Sequence, residues 1–331
     1  MKRVILQIVP RAPGSREGVG DYAGILAQRL AEAHDCETVF ATAADLSDEK
    51  WLPPPTASAV ILHYVNYGYD PRGVPSWLPG RLQQIQRDCG GKMITIFHEL
   101  YATSSWRRSA FWLQPLQKRV ARAIAQSSAV CIVSSSVLAA QLQKLAPAAR
   151  VIVRPVLSTF GEPRLSAEQL ANRDPQRWAI CGGTELVRRS LRSFAGAGEL
   201  FVIGGSDQSE IRRLLDEAHY FPKIEADAAS TVLASCAFGY LDYFETADVP
   251  TAAVLKSTSF AAYCAHGVVP IFPSVGSAIA LDGDALPGPF CLTNIPAESE
   301  RPAIAEATYA WYQRHASSAH LAASIAEAIT S

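Results

Sequence analysis

From Val4 to Pro155 the chain alternates between two patterns. Short apolar runs at Val4–Val9, Glu37–Ala41, Ala59–Val65, Lys92–Phe97, Ala129–Val133 and Val151–Pro155 predict buried strands. Between them, apolar residues recur at helical spacing in Asp21–Ala33, Trp77–Arg87, Phe111–Ala125 and Val137–Leu145. Near-continuous apolar strands separated by amphipathic helices predict a parallel sheet covered on both faces. Residues 157–177 interrupt the rhythm: they are polar, carry two prolines, and read as a linker or surface excursion. Alternation then resumes, with strands predicted at Trp178–Cys181, Leu200–Ile203, Ala237–Leu241 and Val268–Phe272 and helices at Val187–Phe194, Gln208–Ala218 and Ser257–His266. An alanine-rich segment, Arg301–Ile329, closes the chain as a helical tail.

The pattern therefore predicts an α/β protein with two doubly wound, Rossmann-like halves. The division is 1–157, 158–302, and a tail at 303–331 expected to return to the first half. In such folds ligands bind at the carboxyl ends of the strands, so the candidate site is the cleft between the halves.

Composition narrows the class. With 331 residues, 49% hydrophobic and 18% charged, the chain has enough apolar material for two cores and does not read as disordered. A net charge of −1 gives no basic footprint for nucleic acid, and clusters such as Lys118–Arg119 or Arg188–Arg189 read as solvated helix faces. The 7 cysteines are scattered without a CxxC pair, which points to free thiols in a reducing compartment. The opening apolar run is broken by Gln7 and Pro10, so it reads as a first strand and not as a secretion signal. No apolar stretch approaches the roughly 20 residues that span a bilayer. These features together imply a cytoplasmic protein.

Chemistry concentrates at the ends of predicted strands. The first strand runs into a loop, residues 11–20, in which Gly18 and Gly20 permit close backbone approach and Asp21 is suited to cap the following helix. Free amides at a helix N-terminus favour an anion or a sugar hydroxyl, although a capped glycine turn accounts for the same residues. The spacing is not GxGxxG, which argues against a dinucleotide cofactor. His98 follows an apolar strand and points to the predicted cleft. Glu99, Tyr101, His63, Tyr64, Asn66 and Tyr67 lie at neighbouring strand ends, either as an acceptor pocket or as packing around a loop. In the second half, Gly183, Thr184, Arg188 and Arg189 follow one strand, and Lys256, Ser257 and Thr258 open a predicted helix. Cations and helix amides of this kind can stabilise a leaving diphosphate, while a solvated helix face and an ordinary N-cap remain the plainer readings. The one Asp-x-Asp, Asp282–Gly283–Asp284, reads as a turn and not as a metal site.

Several motifs occur in an order that resembles the family 4 glycosyltransferases. Gly18-Val-Gly-Asp-Tyr-Ala23 is similar to their G-G-V-G-D-Y-A opening, and His98–Glu99 to their strand-ending H-D/H-E. Ile132-Val-Ser-Ser135 resembles their V-T-x-S element. Gly182-Gly-Thr184 with Arg188–Leu191 resembles the loop and R/K-G-L segment of their second domain, and Lys256–Phe260 with Ala265–Pro270 their A-x-G-x-P-V element. The resemblance implies the GT-B fold and a retaining, metal-independent transfer of sugar from a nucleoside diphosphate sugar, with no cofactor. The acceptor stays unidentified among a glycan, a lipid-linked molecule and a small molecule, and peripheral membrane contact is kept among the partners. By the same resemblance His98 would contact the donor sugar or the reaction centre, and Arg188, Arg189 and Lys256 the diphosphate. One departure stands out. Counting back from Gly267, the positions where many members carry paired glutamates hold Val254 and Ala262. Asp242, Tyr243, Glu245 and Asp248, after the strand Ala237–Leu241, are the expected replacements for the ribose contact, Glu245 first among them. The departure keeps a catalytically silent GT-B subunit in view beside the transferase, and a nucleotide-sugar epimerase is the other enzymatic alternative.

Overall fold

The computed structural model describes residues 2–15, 18–48, 50–102, 109–206, 209–215, 218–244, 249–274 and 276–331. The chain forms two compact units: Met1–Arg154 with Ser318–Ser331, and Pro155–Ser317.

The first unit is a parallel sheet of six strands among the described residues. Its elements run β1 (Arg3–Val9), α1 (Gly18–His34), β2 (Cys36–Thr42), α2 (Ala43–Ser47), β3 (Ala57–Tyr64), α3 (Asn66–Tyr69), α4 (Leu78–Cys89), β4 (Lys92–Phe97), α5 (Ser109–Ser127), β5 (Val130–Val133), α6 (Ser136–Leu145) and β6 (Val151–Val153). The strand order is β2-β1-β3-β4-β5-β6. The order reverses between β1 and β3, so the switch point where open sheets bind ligands lies at the carboxyl ends of these two strands, with β4 next to β3. Alternate residues of each strand enter one core. Leu6, Ile8, Val60, Leu62, Tyr64, Met93 and Phe97 pack with Leu82 and Ile85 of α4 and Ile124 of α5. The alternating set faces the other way, towards the side covered by α1. Local chemistry fixes several ends: Thr42 and Asp45 form a capping box on α2, Ser135 caps α6, and Gly90 closes α4 in the left-handed conformation.

The second unit repeats the plan with the order β14-β11-β10-β7-β8-β9, again all parallel. After α7 (Ala167–Ala171) come β7 (Asp174–Gly182), α8 (Thr184–Ser193), β8 (Glu199–Gly204), α9 (Ser209–Leu214), β9 (His219–Phe221), α10 (Ala226–Ser235) and β10 (Cys236–Tyr240). A 3-10 helix, Thr251–Lys256, leads into α11 (Thr258–Ala265) and β11 (Val269–Phe272). The β12–β13 hairpin (Ala280–Leu281, Asp284–Ala285), β14 (Phe290–Cys291) and α12 (Arg301–His315) complete the unit.

Several sequence expectations are corrected. The stretch 157–177 is not featureless: it holds α7 and the first residues of β7. The helix expected over Gln208–Ala218 is the short α9, followed by β9. Lys256 does not open a helix but ends the 3-10 turn before Ser257 caps α11. The tail is two helices. In α12, Tyr312 accepts from the Ser158 amide (2.8 Å) and donates to Glu162 (2.6 Å), within the second unit. In α13 (Ser318–Thr330), Ser318 and Ser324 accept from Arg29 and Arg154 of the first unit, both at 2.8 Å. Among the described residues no helix is long and apolar enough to cross a membrane.

Candidate functional site

In the first unit, three polar side chains interrupt apolar strands on the α1 side of the sheet. Gln7 of β1 and His63 of β3 have no solvent exposure, while His98, just past β4, is partly exposed. The His63 Nε2 lies 2.8 Å from Gln7 Oε1, and His63 Nδ1 lies 3.3 Å from His98 Nε2. The two imidazole planes are inclined by only 16°, with centroids 5.5 Å apart, so the rings lie nearly coplanar and meet end to end. The Tyr22 ring of α1 stands at 88° to His98 and 76° to His63, with centroids 5.0 Å and 5.8 Å away. Burial disfavours the charged imidazole: His98 is pushed down to about 4, and His63 falls well below its ordinary value through burial and the neighbouring His98. Both rings are therefore neutral at neutral pH.

The glycine loop sits beside this group. A Cβ on Gly20 would lie 3.0 Å from the Arg11 and Ala12 carbonyl oxygens, so a larger residue would push the first turn of α1 off the loop. Gly18 has open space instead, and Asp21 accepts from the Gly14 amide at 3.3 Å. Of the other strand-end residues, Asn66 is fully buried, and neither of its amide atoms has a partner among the described residues. Tyr67 is exposed and accepts weakly from Gln117 (3.4 Å), Glu99 is exposed, and the Lys118 ammonium lies 4.8 Å above the Tyr101 ring. The structure thus joins His63 to His98, not to the exposed Tyr67 and Glu99.

The second unit gathers small residues at the carboxyl ends of β7 and β8. Gly205 donates to the Gly182 carbonyl at 2.9 Å, and Thr184 Oγ1 is 2.7 Å from Ser206 Oγ while accepting from the Ser206 amide at 2.8 Å. Gly204 has a φ of +86°, and a Cβ there would meet the Gly182 oxygen at 2.4 Å. A Cβ on Gly182 would meet Ser259 Oγ of α11 at 2.7 Å. Two glycine-lined loops and the start of α11 therefore converge, with Gly183 as the N-cap residue of α8. Ser257 caps α11 by accepting from Phe260 (3.3 Å), next to Thr258. Lys256, adjacent and exposed, has no ion pair among the described residues.

Both arginines, expected on the diphosphate, have protein partners. Arg188 is paired with Glu185 and, at 3.1 Å, with Glu210, and these carboxylates hold its guanidinium charged. Arg189 donates to the carbonyls of Asp242 (2.6 Å) and Tyr243 (2.9 Å), fastening the segment after β10 to α8. Glu245 and Asp248 lie outside the described residues. Val254 and Ala262 are fully buried, so the unit presents no carboxylate at either position. In the β12–β13 hairpin, Asp282 and Gly283 form the turn with positive φ. Asp284 is held by Arg314 (2.7 Å) and His315 (2.8 Å), which lower its pKa.

Neither Gln7 nor Ser206 is marked as a site residue by the sequence alone. The only signal for Gln7 was a polar residue inside an otherwise apolar first strand.

Two doubly wound, parallel α/β units with these strand orders make the fold GT-B. No protein-family model matches the chain, and no curated protein matches it in sequence. Among solved structures, Anabaena Alr3699/HepE in complex with UDP and glucose superposes with a TM-score of 0.61 at 10% identity, covering 99% of each chain. The same protein in complex with UDP-glucose gives 0.58 at 10% identity over 99% of each chain. The E. coli trehalose-6-phosphate structure bound with UDP-2-fluoro glucose gives 0.57 at 9% identity over 98% of each chain.

Proposed function

We propose that the chain is a glycosyltransferase that moves a sugar from a nucleoside diphosphate sugar to an acceptor hydroxyl, in glycan or glycoconjugate synthesis in the cytoplasm. The observation that supports this reading best is the convergence of Gly182–Thr184, Gly204–Ser206 and the start of α11. Amides at a helix N-terminus and glycine-lined backbone suit a diphosphate, and the fold is shared with proteins bound to UDP and UDP-sugars. In this reading Lys256 and the amides of Gly183, Thr184 and Thr258 stabilise the charge that develops on the leaving diphosphate. Arg188 and Arg189 act by holding α8 and the segment after β10, where Tyr243 and Glu245 are proposed to meet the nucleoside. On the first unit, Gly18, Gly20 and His98 are assigned to the donor sugar, and Asn66, Tyr67, Glu99 and Tyr101 to the acceptor. His63 contributes through His98.

By its resemblance to family 4, the reaction retains configuration and needs neither metal nor cofactor. The acceptor oxygen bonds to the anomeric carbon on the face that the diphosphate leaves, and the acceptor proton passes to the departing phosphate oxygen. The test is a thermal-shift screen against UDP, GDP, ADP and TDP sugars, followed by assay of donor hydrolysis and transfer with and without a chelator. A stabilising nucleotide with chelator-insensitive turnover supports the reading, and no response to any nucleotide defeats it.

A second reading, a silent GT-B subunit that binds nucleotide beside a partner transferase, is favoured by Val254 and Ala262, both apolar and buried. Nucleotide binding without hydrolysis or transfer by the purified chain would support it.

A further inference from the structure

The Gln7, His63 and His98 side chains stand on three adjacent strands, β1, β3 and β4. In the parallel register Gln7 is opposite Ile61 and His63 is opposite Ile96. The polar row therefore advances by two residues at each strand, the spacing that keeps side chains on one face of a sheet. It begins in the fully buried interior at Gln7 and emerges at His98, beyond the end of β4. Nothing in packing asks for it. An apolar residue at position 7 would fill the same space, whereas Gln7 buries an amide whose Nε2 has no partner among the described residues. Leaving such a group unpaired forfeits the hydrogen bond it makes with water in the unfolded chain. A buried polar chain retained at that cost and ending at the ligand-binding edge of the sheet points to a positioning device.

Hydrogen-bond logic gives the device a direction. An amide oxygen only accepts, so Gln7 Oε1 requires the proton of His63 on Nε2. A neutral His63 then has a lone pair on Nδ1, which accepts from His98 Nε2. A neutral His98 with its proton on Nε2 has a lone pair on Nδ1. Tyr22 fixes the plane of both rings by its near-perpendicular contacts.

We propose that Gln7 and His63 are positioning residues that lock His98 in the Nε2–H tautomer, so that its Nδ1 accepts a hydrogen bond from a hydroxyl of the bound sugar. The identity of that hydroxyl's owner rests on the transferase reading; the tautomeric lock does not.

The test uses the full-length protein with nitrogen-15 labelled histidine, observing the imidazole nitrogens by NMR at neutral pH, with His98 signals assigned by their loss in His98→Ala. In the wild type, His98 is expected to carry its proton on Nε2, coupled across the hydrogen bond to His63 Nδ1. Gln7→Met, of matching length but without an acceptor, should convert His98 to a mixture of tautomers and lower kcat by about 10-fold, with the donor KM within twofold. A His98 proton on Nδ1 in the wild type, which a reversed Gln7 amide would impose, overturns the proposal. So does a His98 spectrum unchanged by Gln7→Met. Should Gln7→Met not fold, the wild-type spectrum decides, by whether the His98 proton is on Nε2 or Nδ1. A lock confirmed by NMR in a protein that turns over no nucleotide sugar would defeat the transferase reading and leave the lock standing.

Discussion

Single side chains in the two units divide into those already satisfied and those with capacity left for a ligand. Arg189 belongs to the first kind, with its guanidinium on two carbonyls and beside Asp242 at 3.5 Å. Arg189→Ala should lower unfolding free energy by about 2–3 kcal/mol in urea titrations, since each charge-assisted bond lost leaves a carbonyl unpaired. Lys256 belongs to the second kind. Lys256→Ala should weaken nucleoside diphosphate binding by about 1.5–3 kcal/mol in calorimetry while the unfolding midpoint stays put. His98 separates function from structure most sharply. His98→Ala should reduce turnover about 100-fold, the effect of losing a positioned polar group in the transition state. Diphosphate affinity should hold within twofold, because the glycine loops proposed to take the diphosphate belong to the other unit. Lost stability with full activity per folded molecule would instead make His98 structural.

At the scale of elements, the loops after β7 and β8 hold each other through backbone. The φ of +86° at Gly204, where a Cβ would come within 2.4 Å of the Gly182 oxygen, leaves no room for a side chain. Gly204→Ala should therefore force the two loops apart, destabilise the second unit, and abolish the thermal shift given by nucleotide. An alanine variant that keeps the wild-type shift would show that these loops play no part in binding. The same kind of constraint appears at Gly267, with a φ of +61° and Leu170 only 2.3 Å from a would-be Cβ, which seats α7 against the turn that follows α11.

For the whole molecule, two linkages bear on stability. A ligand of the folded state present at 100 times its Kd should raise unfolding free energy by about 2.7 kcal/mol, measurable as a concentration-dependent Tm. Acid acts in the opposite sense through the buried histidines. His266 donates from Nδ1 to the Ala262 carbonyl and lies 2.7 Å from Ser230 Oγ through Nε2. Burial first, and the nearby Arg173, hold its pKa down to about 4, while the carbonyl bond opposes them. The unfolded chain, with an ordinary value of about 6.5, then binds more protons than the folded one between these limits. Stability is fully present above about 6.5 and is lost as pH falls towards about 4. Urea unfolding at pH 7.5 and 5.0 should show the loss, and a His266→Gln variant should show a shallower slope.

The sequence by itself determined the alternation. Strands such as Met93–Phe97 are apolar on both faces and helices such as Leu78–Cys89 on one, and those two periodicities can be satisfied together only by a covered parallel sheet. It also placed His98 at a strand end and Gly182–Thr184 at the head of a helix, because chain order and turn chemistry are local. Short elements were less legible: α10, rich in alanine, serine and threonine, and the three-residue β9 carry little periodic signal. Partnership was not legible at all. The two arginines read as exposed from their spacing, yet tertiary folding gave them Glu210 and the carbonyls after β10, 22 and more positions away. The link from Gln7 to His63 spans 56 residues and depends on parallel register, which pairing between strands sets. A lone glutamine in an apolar strand is only an irregularity until the neighbouring strand delivers an imidazole to it.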